Sequence, residues 1–338
     1  MSKKKAMLPL VNPIFSTYHS QGNGAATIYA NPSIRNWYLN NCTILKCSKK
    51  FLSGYSSPDV NIMESTWYDN PYLNKFWLGT EYTKGYINHI IRALIDDGRY
   101  ICFDGIDDYY IPGKTWYKTR HFGHDGMIYG YDQEKKTYSI QAYDTNWIFK
   151  TFEIPQEAFN KGRKAMLKRG KYSYICALKP TLDPVEFEPK IAISKIKEYL
   201  DSSFEKYPIN GEGDVYGIVV QDYLALYVYK LFEQSIPYEK MDYRVFRLLW
   251  EHKKAMHERL VKIEKVLMLD KTTSEEYKSI VSDADDIRLL YASHNLKRRD
   301  SVLPVISQKL VALSKKEFTI LSEFVKKAGG VLENESLE

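Results

Sequence analysis

The chain has 338 residues and a mass of 39.5 kDa, which is more than one compact domain normally needs and favours two. Hydrophobic residues make up 44% and charged residues 27%, a balance that excludes collagen-like, coiled-coil and disordered proteins. The formal net charge of +6 is spread along the chain, so the charge pattern does not predict a nucleic-acid partner.

Cysteine use and hydropathy indicate the compartment. The chain has four cysteines, too few for a disulfide framework in a protein of this length. No apolar run near the N-terminus reaches the length of a signal peptide or a transmembrane helix. The sequence therefore predicts a cytoplasmic protein with reduced thiols, no membrane partner and no cofactor.

The first half of the chain predicts a helix followed by several strands. Apolar residues recur at helical spacing over 86–95, and an apolar run suited to a buried strand follows. Two strand-like runs then flank the charged turn QEKKT, which predicts a β-hairpin. The predicted strands are 99–105, 124–132, 137–144, 150–155 and 171–180. This order is typical of an α+β domain with an antiparallel sheet.

The second half predicts an all-α bundle. Pro180, Pro184 and Pro189 favour extended backbone and mark a linker, so we expect domains at 1–182 and 183–338. Apolar stripes at i, i+3 and i+4 spacing predict six helices, over 191–204, 215–234, 243–267, 279–296, 302–314 and 315–329. Ser314 is a plausible N-cap for the sixth helix, and Gly329 with Gly330 is a plausible end.

A histidine and an aspartate are predicted to meet across the hairpin. His124 opens one strand and Asp144 ends the next, and an antiparallel hairpin brings these two ends together. A carboxylate in that place orients an imidazole for proton transfer. The alternative is a structural strand histidine beside a turn-forming aspartate. His121 and His124 do not complete a metal site by themselves, so no metal is predicted.

The run from His124 to Gly130 and Tyr131 resembles the histidine strand of papain-like cysteine peptidases. In that superfamily the next strand ends in an Asn or Asp that orients the histidine, which Asp144 would match. The segment QGNGAATIYA resembles the papain segment that runs from the oxyanion-binding Gln to the nucleophilic Cys at the start of a helix. The resemblance implies that Gln21 holds the oxyanion and that Thr27 occupies the nucleophile position.

A wider resemblance covers NPSIRNWYLNNCTILKC, GRYICFDGIDDYYIPGKTWYKTRHFGHDGMIYGYD and DYRVFRLLWEHKKAMHERL. These stretches are similar to the butirosin biosynthesis protein H family, in which a papain-like domain serves as an acyltransferase. The resemblance implies transfer of an acyl group from the phosphopantetheine thioester of an acyl- or peptidyl-carrier protein to an amine. It implies amide formation in peptide or polyketide natural-product biosynthesis, with His124, Asp144, Gln21 and Thr27 as the catalytic residues.

The nucleophile stays open, because a threonine hydroxyl is a poor substitute for a thiolate. Thr27 or Ser20 would be an oxygen nucleophile, and Cys42 or Cys47 would supply a thiol from elsewhere. Ala25 or Ala26 would mark a position where a cysteine has been altered. Loss of catalysis is a further possibility, and it would leave a carrier- or product-binding homologue. A cysteine-type peptidase or amidase would use the same site with access to water.

Four other patterns give expectations that the structure tests. Gln21 and Asn23 beside two glycines favour a turn and a helix cap. Asp104, Asp107 and Asp108 favour a solvated turn. On the sequence pattern, His252 and His257 lie on a solvated helix face. The aromatic segments that contain Trp67 and Trp116 would wall a substrate groove.

Overall fold

The computed structural model describes residues 3–54, 56–66, 68, 70–83, 85–181, 183–202 and 213–335. Trp67, one of the two tryptophans predicted to wall a groove, lies outside these residues. The chain forms two compact units, Met1–Arg35 with Thr66–Val185 and Asn36–Ser65 with Glu186–Glu338. The predicted boundary after residue 182 lies close to Val185, where the chain passes from the first unit to the second for the last time. Segment 36–65 was predicted in the first domain but belongs to the second unit.

The secondary structure is mixed helix and strand. The elements in chain order are β1 (Lys5–Met7), α1 (His19–Tyr29), α2 (Pro32–Asn41), β2 (Leu45–Ser48), β3 (Asn61–Ile62), β4 (Leu73–Gly79), α3 (Ile87–Asp96), β5 (Tyr100–Asp107), β6 (Gly123–Asp132), β7 (Thr137–Tyr143), β8 (Phe149–Pro155), α4 (Gln156–Lys168), β9 (Tyr174–Pro180), α5 (Pro189–Asp201), β10 (Asp214–Tyr216), α6 (Val220–Phe232), α7 (Arg244–Val266), α8 (Thr272–Lys297) and α9 (Val302–Glu335). The predicted helix at 86–95 and the five predicted strands are confirmed within a few residues.

The first unit is built on one antiparallel sheet. Its strand order is β4-β9-β5-β6-β7-β8, and β1 pairs with the far end of β6. The predicted hairpin is β6 with β7, in which Met127 pairs with Gln141 and Ile128 with Ile140. The α+β expectation with an antiparallel sheet is therefore confirmed.

The two faces of this sheet have different coverings. One face carries the main hydrophobic core, which includes Ile128, Ile140 and Phe103 and residues of α3 and α4. The β6 side chains that point to the other face of the sheet lie against α1. One of them is Met127, whose Sδ atom lies 3.6 Å from Oγ1 of Thr27. Because successive strand residues point to opposite faces, one strand of this hairpin positions both the core and the residues beside α1.

Helix α4 was not predicted, although it covers β5. Its Gly162 approaches the backbone of Asp107 so closely that an added Cβ would lie 3.0 Å from the carbonyl oxygen and 2.9 Å from Ile106. A glycine inside a helix lowers helix propensity, so the sequence signal is weak. The close approach is what allows the helix to pack on the end of β5.

The second unit is mostly helical and includes the small antiparallel sheet β10-β2-β3. Four of the six predicted helices correspond to α5, α6, α7 and α8. The predicted fifth and sixth helices are wrong as separate elements, because α9 runs without a break through Ser314 and past Gly329 and Gly330. No proline or glycine interrupts residues 305–328, so the backbone has no reason to leave the helix.

A buried ionic cluster lies in the second unit. Glu317, which follows Ser314 at capping-box spacing, accepts hydrogen bonds from Lys253 at 2.7 Å and from Tyr199 at 2.9 Å. His252 is also buried, and its Nε2 lies 2.7 Å from the carbonyl oxygen of Thr43. The expectation of a solvated face at His252 is therefore wrong, because α7 has neighbours on both sides of that position. Among the described residues no helix has the length and apolarity needed to cross a bilayer.

Candidate functional site

The start of β6 lies beside the start of α1 in the first unit. Helix α1 begins at His19, with the N-cap residue Tyr18 in an extended conformation. The rings of His19 and His124 meet edge to face, with centroids 4.9 Å apart. The expected turn around Gln21 is wrong, because α1 continues through Gly22, which passes so close to Phe149 that a Cβ would lie 2.9 Å from its ring.

His124 is held by a buried carboxylate from the end of the neighbouring strand. Its Nδ1 lies 3.0 Å from Oδ2 of Asp108, the residue that follows β5. The other oxygen of Asp108 lies 3.7 Å from Nζ of Lys114, which also donates to the backbone oxygen of Asp125 at 3.2 Å. Burial lowers the pKa of Lys114. The side chain of His124 is 20% exposed, so one part of the ring faces solvent.

A second imidazole and carboxylate pair adjoins the first. Nδ1 of His19 lies 2.8 Å from Oδ1 of Asp125, and the same oxygen lies 3.6 Å from Nε2 of His124. The groups therefore alternate along a path from Asp108 to His124, then Asp125, then His19. Two carboxylates and two imidazoles in this order can pass or hold a proton between neighbouring groups.

The surroundings of the second pair lower the pKa of both His19 and Asp125. Burial lowers the pKa of His19, against the opposing effect of Asp125. Burial alone would raise the pKa of Asp125, but the electrostatic effect of His19 and its hydrogen bond, with smaller effects of His124 and Lys114, lower it to about 2. Asp125 is therefore an ionised carboxylate beside two imidazole rings.

Asp107 fixes the loop that carries this site. Its buried carboxylate lies 2.8 Å from Nδ1 of His121 and 3.2 Å from the guanidinium of Arg169, and it accepts from the backbone N–H of Phe122. The solvated turn expected here is wrong for Asp107 and Asp108, because both side chains are buried and paired. These contacts tie the end of β5 to the segment that enters β6.

Asp144 does not supply the carboxylate predicted for His124. Continuing the register of Met127 with Gln141 places residue 144 opposite residue 124, so the spacing argument was sound. However, Asp144 Oδ1 accepts from the backbone N–H groups of Asn146 and Ile148, and Oδ2 lies 2.6 Å from Nζ of Lys150. Its carboxylate closes the β7–β8 turn instead, and the partner of His124 comes from β5.

Gln21 and Thr27, the predicted oxyanion donor and nucleophile, lie in different turns of α1. Thr27 lies in the last turns of the helix, fully buried, and its hydroxyl donates to the backbone oxygen of Asn23 at 2.9 Å. Thr27 follows His19 by eight positions, which corresponds to about 12 Å of helix rise. Gln21 is in the first turn and fully buried. The prediction of Thr27 as the nucleophile beside His124 is therefore wrong.

The other predicted nucleophiles are placed as follows. Ala25 and Ala26 are fully buried inside α1, so a cysteine there would face the interior. Cys42 and Cys47 are buried in the second unit, and burial raises the pKa of Cys47. Ser20 is half-buried and follows His19 in the first turn of α1. All four cysteines of the chain are free and buried.

Three side chains of the site have the composition of a metal-ligand set. The ligand atoms of His19, His124 and Asp125 all lie within 4.8 Å of one another. Asp108 on the opposite nitrogen of His124 is the kind of outer carboxylate that orients a ligating imidazole. In this structure the 2.8 Å between His19 and Asp125 is a hydrogen-bond distance, shorter than the roughly 3.3 Å between ligand atoms around tetrahedral zinc.

Aromatic rings lie on the solvent side of His124. Phe122 meets the His124 ring edge to face at 5.4 Å, and Trp116 lies 6.3 Å from Phe122. The half-buried Trp116 therefore contacts Phe122, which in turn contacts His124, and this position suits a groove wall.

No protein-family model matches the chain, and no curated protein sequence matches it. The residues that sequence reasoning missed are His19, Asp108, Asp125 and Lys114. Their separation along the chain hid their association, since His19 lies 105 residues before His124. One local signal was present, the pair of adjacent aspartates after an apolar strand, which was interpreted as a solvated turn.

Proposed function

We propose that the chain transfers an acyl group from the phosphopantetheine thioester of a carrier protein to an amine, with His124 as the proton acceptor. The observation that carries this proposal is the partly exposed His124 ring, which is held on Nδ1 by buried Asp108. A carboxylate on one nitrogen fixes the tautomer and leaves the other nitrogen to take a proton.

The papain-like assignment forms part of the same proposal. A histidine that opens a sheet strand beside the first turn of a helix is the arrangement that the resemblance implies, and His124 beside His19 has it. The antiparallel sheet supports the assignment, and so does the helix packed on one of its faces. The carboxylate that differs from the pattern is Asp108 in place of Asp144.

The reaction follows from these groups. The amine nitrogen attacks the carbonyl carbon of the thioester while Nε2 of His124 accepts one of its protons. The carbon–sulfur bond then breaks, and the departing thiolate takes the proton from the imidazolium, so the products are an amide and a thiol. The N–H groups of Gln21 and Gly22 donate to the carbonyl oxygen of Tyr18, so the backbone N–H groups of His19 and Ser20 at the start of α1 would stabilise the oxyanion.

We further propose direct transfer, without an acyl-enzyme. Thr27 is buried and hydrogen-bonded away from His124, and each thiol of the chain is buried. Burial raises the pKa of Cys176 to about 12 and raises that of Cys102, so neither thiol of the first unit supplies a thiolate at neutral pH. These observations argue against the cysteine-type peptidase alternative.

The test is a transfer assay with an acyl-loaded carrier protein and an added amine, followed by mass spectrometry of the amide. His124→Gln is expected to lower the rate at least 100-fold, because a general base contributes about 10²–10⁴. The intact enzyme should carry no acyl adduct during turnover, and Ser20→Ala should keep its rate. An unchanged rate in His124→Gln would overturn the assignment of the base. An adduct mapped to Ser20 would overturn direct transfer.

A binding homologue without turnover is the alternative that the missing thiol favours. Such a protein would bind the acyl-loaded carrier equally well before and after His124→Gln and form no amide with either. The same assay therefore separates the two functions, because it measures carrier affinity and product in parallel.

A further inference from the structure

A cavity of about 650 Å³ lies in the first unit on the α1 side of the sheet. It is lined by the segment 7–12 and by Tyr129, Gln141 and Thr151 from three neighbouring strands. The backbone N–H of Leu8 donates to the carbonyl oxygen of Tyr129 on β6. Beyond Leu8 the segment no longer pairs with β6 and crosses the neighbouring strands. This arrangement leaves a groove between an extended segment and the surface of the sheet.

Gln141 is the residue that β7 contributes to the lining of this groove. Its side chain is fully buried, and neither its amide oxygen nor its amide nitrogen has a hydrogen-bond partner among the residues that the structure describes. Tyr129 and Thr151 also line the groove, from the neighbouring strands β6 and β8. Buried amides are rarely left with both ends unpaired, so the pair of free atoms points to a missing partner.

The partner must offer an acceptor and a donor side by side. Gln141 presents two N–H donors and one carbonyl acceptor at a single position. A trans secondary amide offers one N–H and one C=O that point in opposite directions, so one such amide pairs with one end of the glutamine. Two successive secondary amides can supply a donor to its oxygen and an acceptor to its nitrogen. Charged groups fit less well, because none of the residues that line the groove carries a charge and the glutamine would be left half-paired.

A line of ring contacts connects the strand that carries Gln141 with the proposed reaction centre. Gln141 and Tyr143 are on the same face of β7, one pleat or about 7 Å apart. The Tyr143 ring meets the His19 ring at 4.9 Å, and His19 meets His124 at the same separation. Two buried side chains, Tyr143 and His19, therefore lie between Gln141 and His124.

We infer that Gln141 binds a secondary amide of the substrate, with the amide-bearing arm of pantetheine as the source that the proposed function supplies. This identity of the source rests on the proposed function, whereas the recognition of an amide rests on the groove alone. A peptide backbone offers the same chemistry, so the experiment has one arm for each source.

The experiment measures binding of D-pantetheine and of the blocked peptide N-acetyl-alanine N-methylamide to the full chain by calorimetry. Gln141→Leu keeps the side-chain volume and removes both polar atoms, and it is expected to weaken pantetheine binding at least 10-fold. The matched control is Ser139→Ala, one pleat earlier on the same face and also buried, which should leave the affinity unchanged. Gln141→Leu should also unfold at the same or a higher temperature, because an unpaired buried amide has been removed.

The outcomes separate the two proposals. Binding of either amide that is lost in Gln141→Leu and kept in Ser139→Ala supports the amide site, and the ligand that binds more tightly identifies the source. Equal binding by wild type and Gln141→Leu, or no binding by either ligand, overturns it. If pantetheine binds as expected but no amide forms with a loaded carrier, the proposed function fails and the amide site stands. If transfer proceeds with an unchanged KM for the carrier in Gln141→Leu, the amide site fails and the function stands.

Discussion

Asp108 and His124 form the central contact of the candidate site, with Oδ2 of the aspartate 3.0 Å from Nδ1 of the histidine. The contact joins the end of β5 to the start of β6, which are paired antiparallel through Ile106 and His124. The carboxylate is buried, and its second oxygen faces Lys114. The orientation of the imidazole is therefore set by the β5–β6 pair, although the hairpin of β6 with β7 is the more obvious feature of the sequence.

The first prediction compares two isosteric changes. Asp108→Asn is expected to lower the transfer rate about 10²–10⁴-fold, because the amide no longer fixes the proton on Nδ1. Asp144→Asn should change the rate less than threefold, since an amide oxygen still accepts from Asn146 and Ile148. Rates measured with the acyl-loaded carrier decide between the two carboxylates. A large loss in Asp144→Asn with full activity in Asp108→Asn would reverse the assignment.

The second prediction concerns Thr27. Thr27→Val removes the hydroxyl and keeps the shape, and the transfer rate should be unchanged because that hydroxyl donates to Asn23 inside α1. The free energy of unfolding should fall by about 1 kcal/mol, the value of one ordinary hydrogen bond. Urea unfolding measures the stability, and the carrier assay measures the rate. A rate that falls below detection in a folded variant would restore Thr27 as a nucleophile.

The third prediction tests whether the two histidines hold a metal during turnover. Dialysis against a chelator should leave the rate unchanged, since Asp125 already binds His19 at 2.8 Å and Lys114 adds a nearby amine. Metal analysis of the purified protein by mass spectrometry is the accompanying measurement. Loss of activity on dialysis, with recovery on adding zinc, would show that His19, His124 and Asp125 serve as ligands.

The fourth prediction concerns the buried ion pair of the second unit. Lys253→Met leaves Glu317 buried without its cation, and we expect a loss of about 3–5 kcal/mol in the free energy of unfolding. The matched control is Lys316→Met on the same cluster of helices, whose half-exposed pair with Asp283 should contribute at most about 1 kcal/mol. Urea unfolding compares the two variants. Equal losses in the free energy of unfolding would mean that the buried Lys253–Glu317 pair contributes no more to stability than the half-exposed pair.

The fifth prediction is a pH dependence. Burial lowers the pKa of His252 well below its usual 6.5, so the unfolded chain binds a proton that the folded chain does not. Stability should therefore be complete above pH 6.5 and fall as the pH decreases below it. His252→Gln keeps a donor for the carbonyl of Thr43 and should flatten this decline. Thermal unfolding between pH 5 and pH 8 measures the difference, and parallel curves for the two proteins would exclude His252 as a contributor.

Local patterns were sufficient for much of the first unit. Strands β5 to β9 and helix α3 follow from apolar runs bounded by turns, because those signals act within a few residues. The interleaving of segment 36–65 into the second unit has no such signal. The continuity of α9 was missed because Ser314 was interpreted as the N-cap of a separate helix and Gly329 with Gly330 as its end, whereas α9 runs through all three positions.

The sequence by itself determined the hairpin, the position of His124 at the opening of its strand and the helical nature of the second half. These features depend on hydrophobic period and turn chemistry, which neighbouring residues specify. Only the tertiary structure decided that Asp108 binds His124, that His19 and Asp125 join them, and that the buried amide of Gln141 has no hydrogen-bond partner in the described part of the chain. Such contacts depend on strand order and on the packing of α1 across the sheet, and these join residues that lie far apart along the chain.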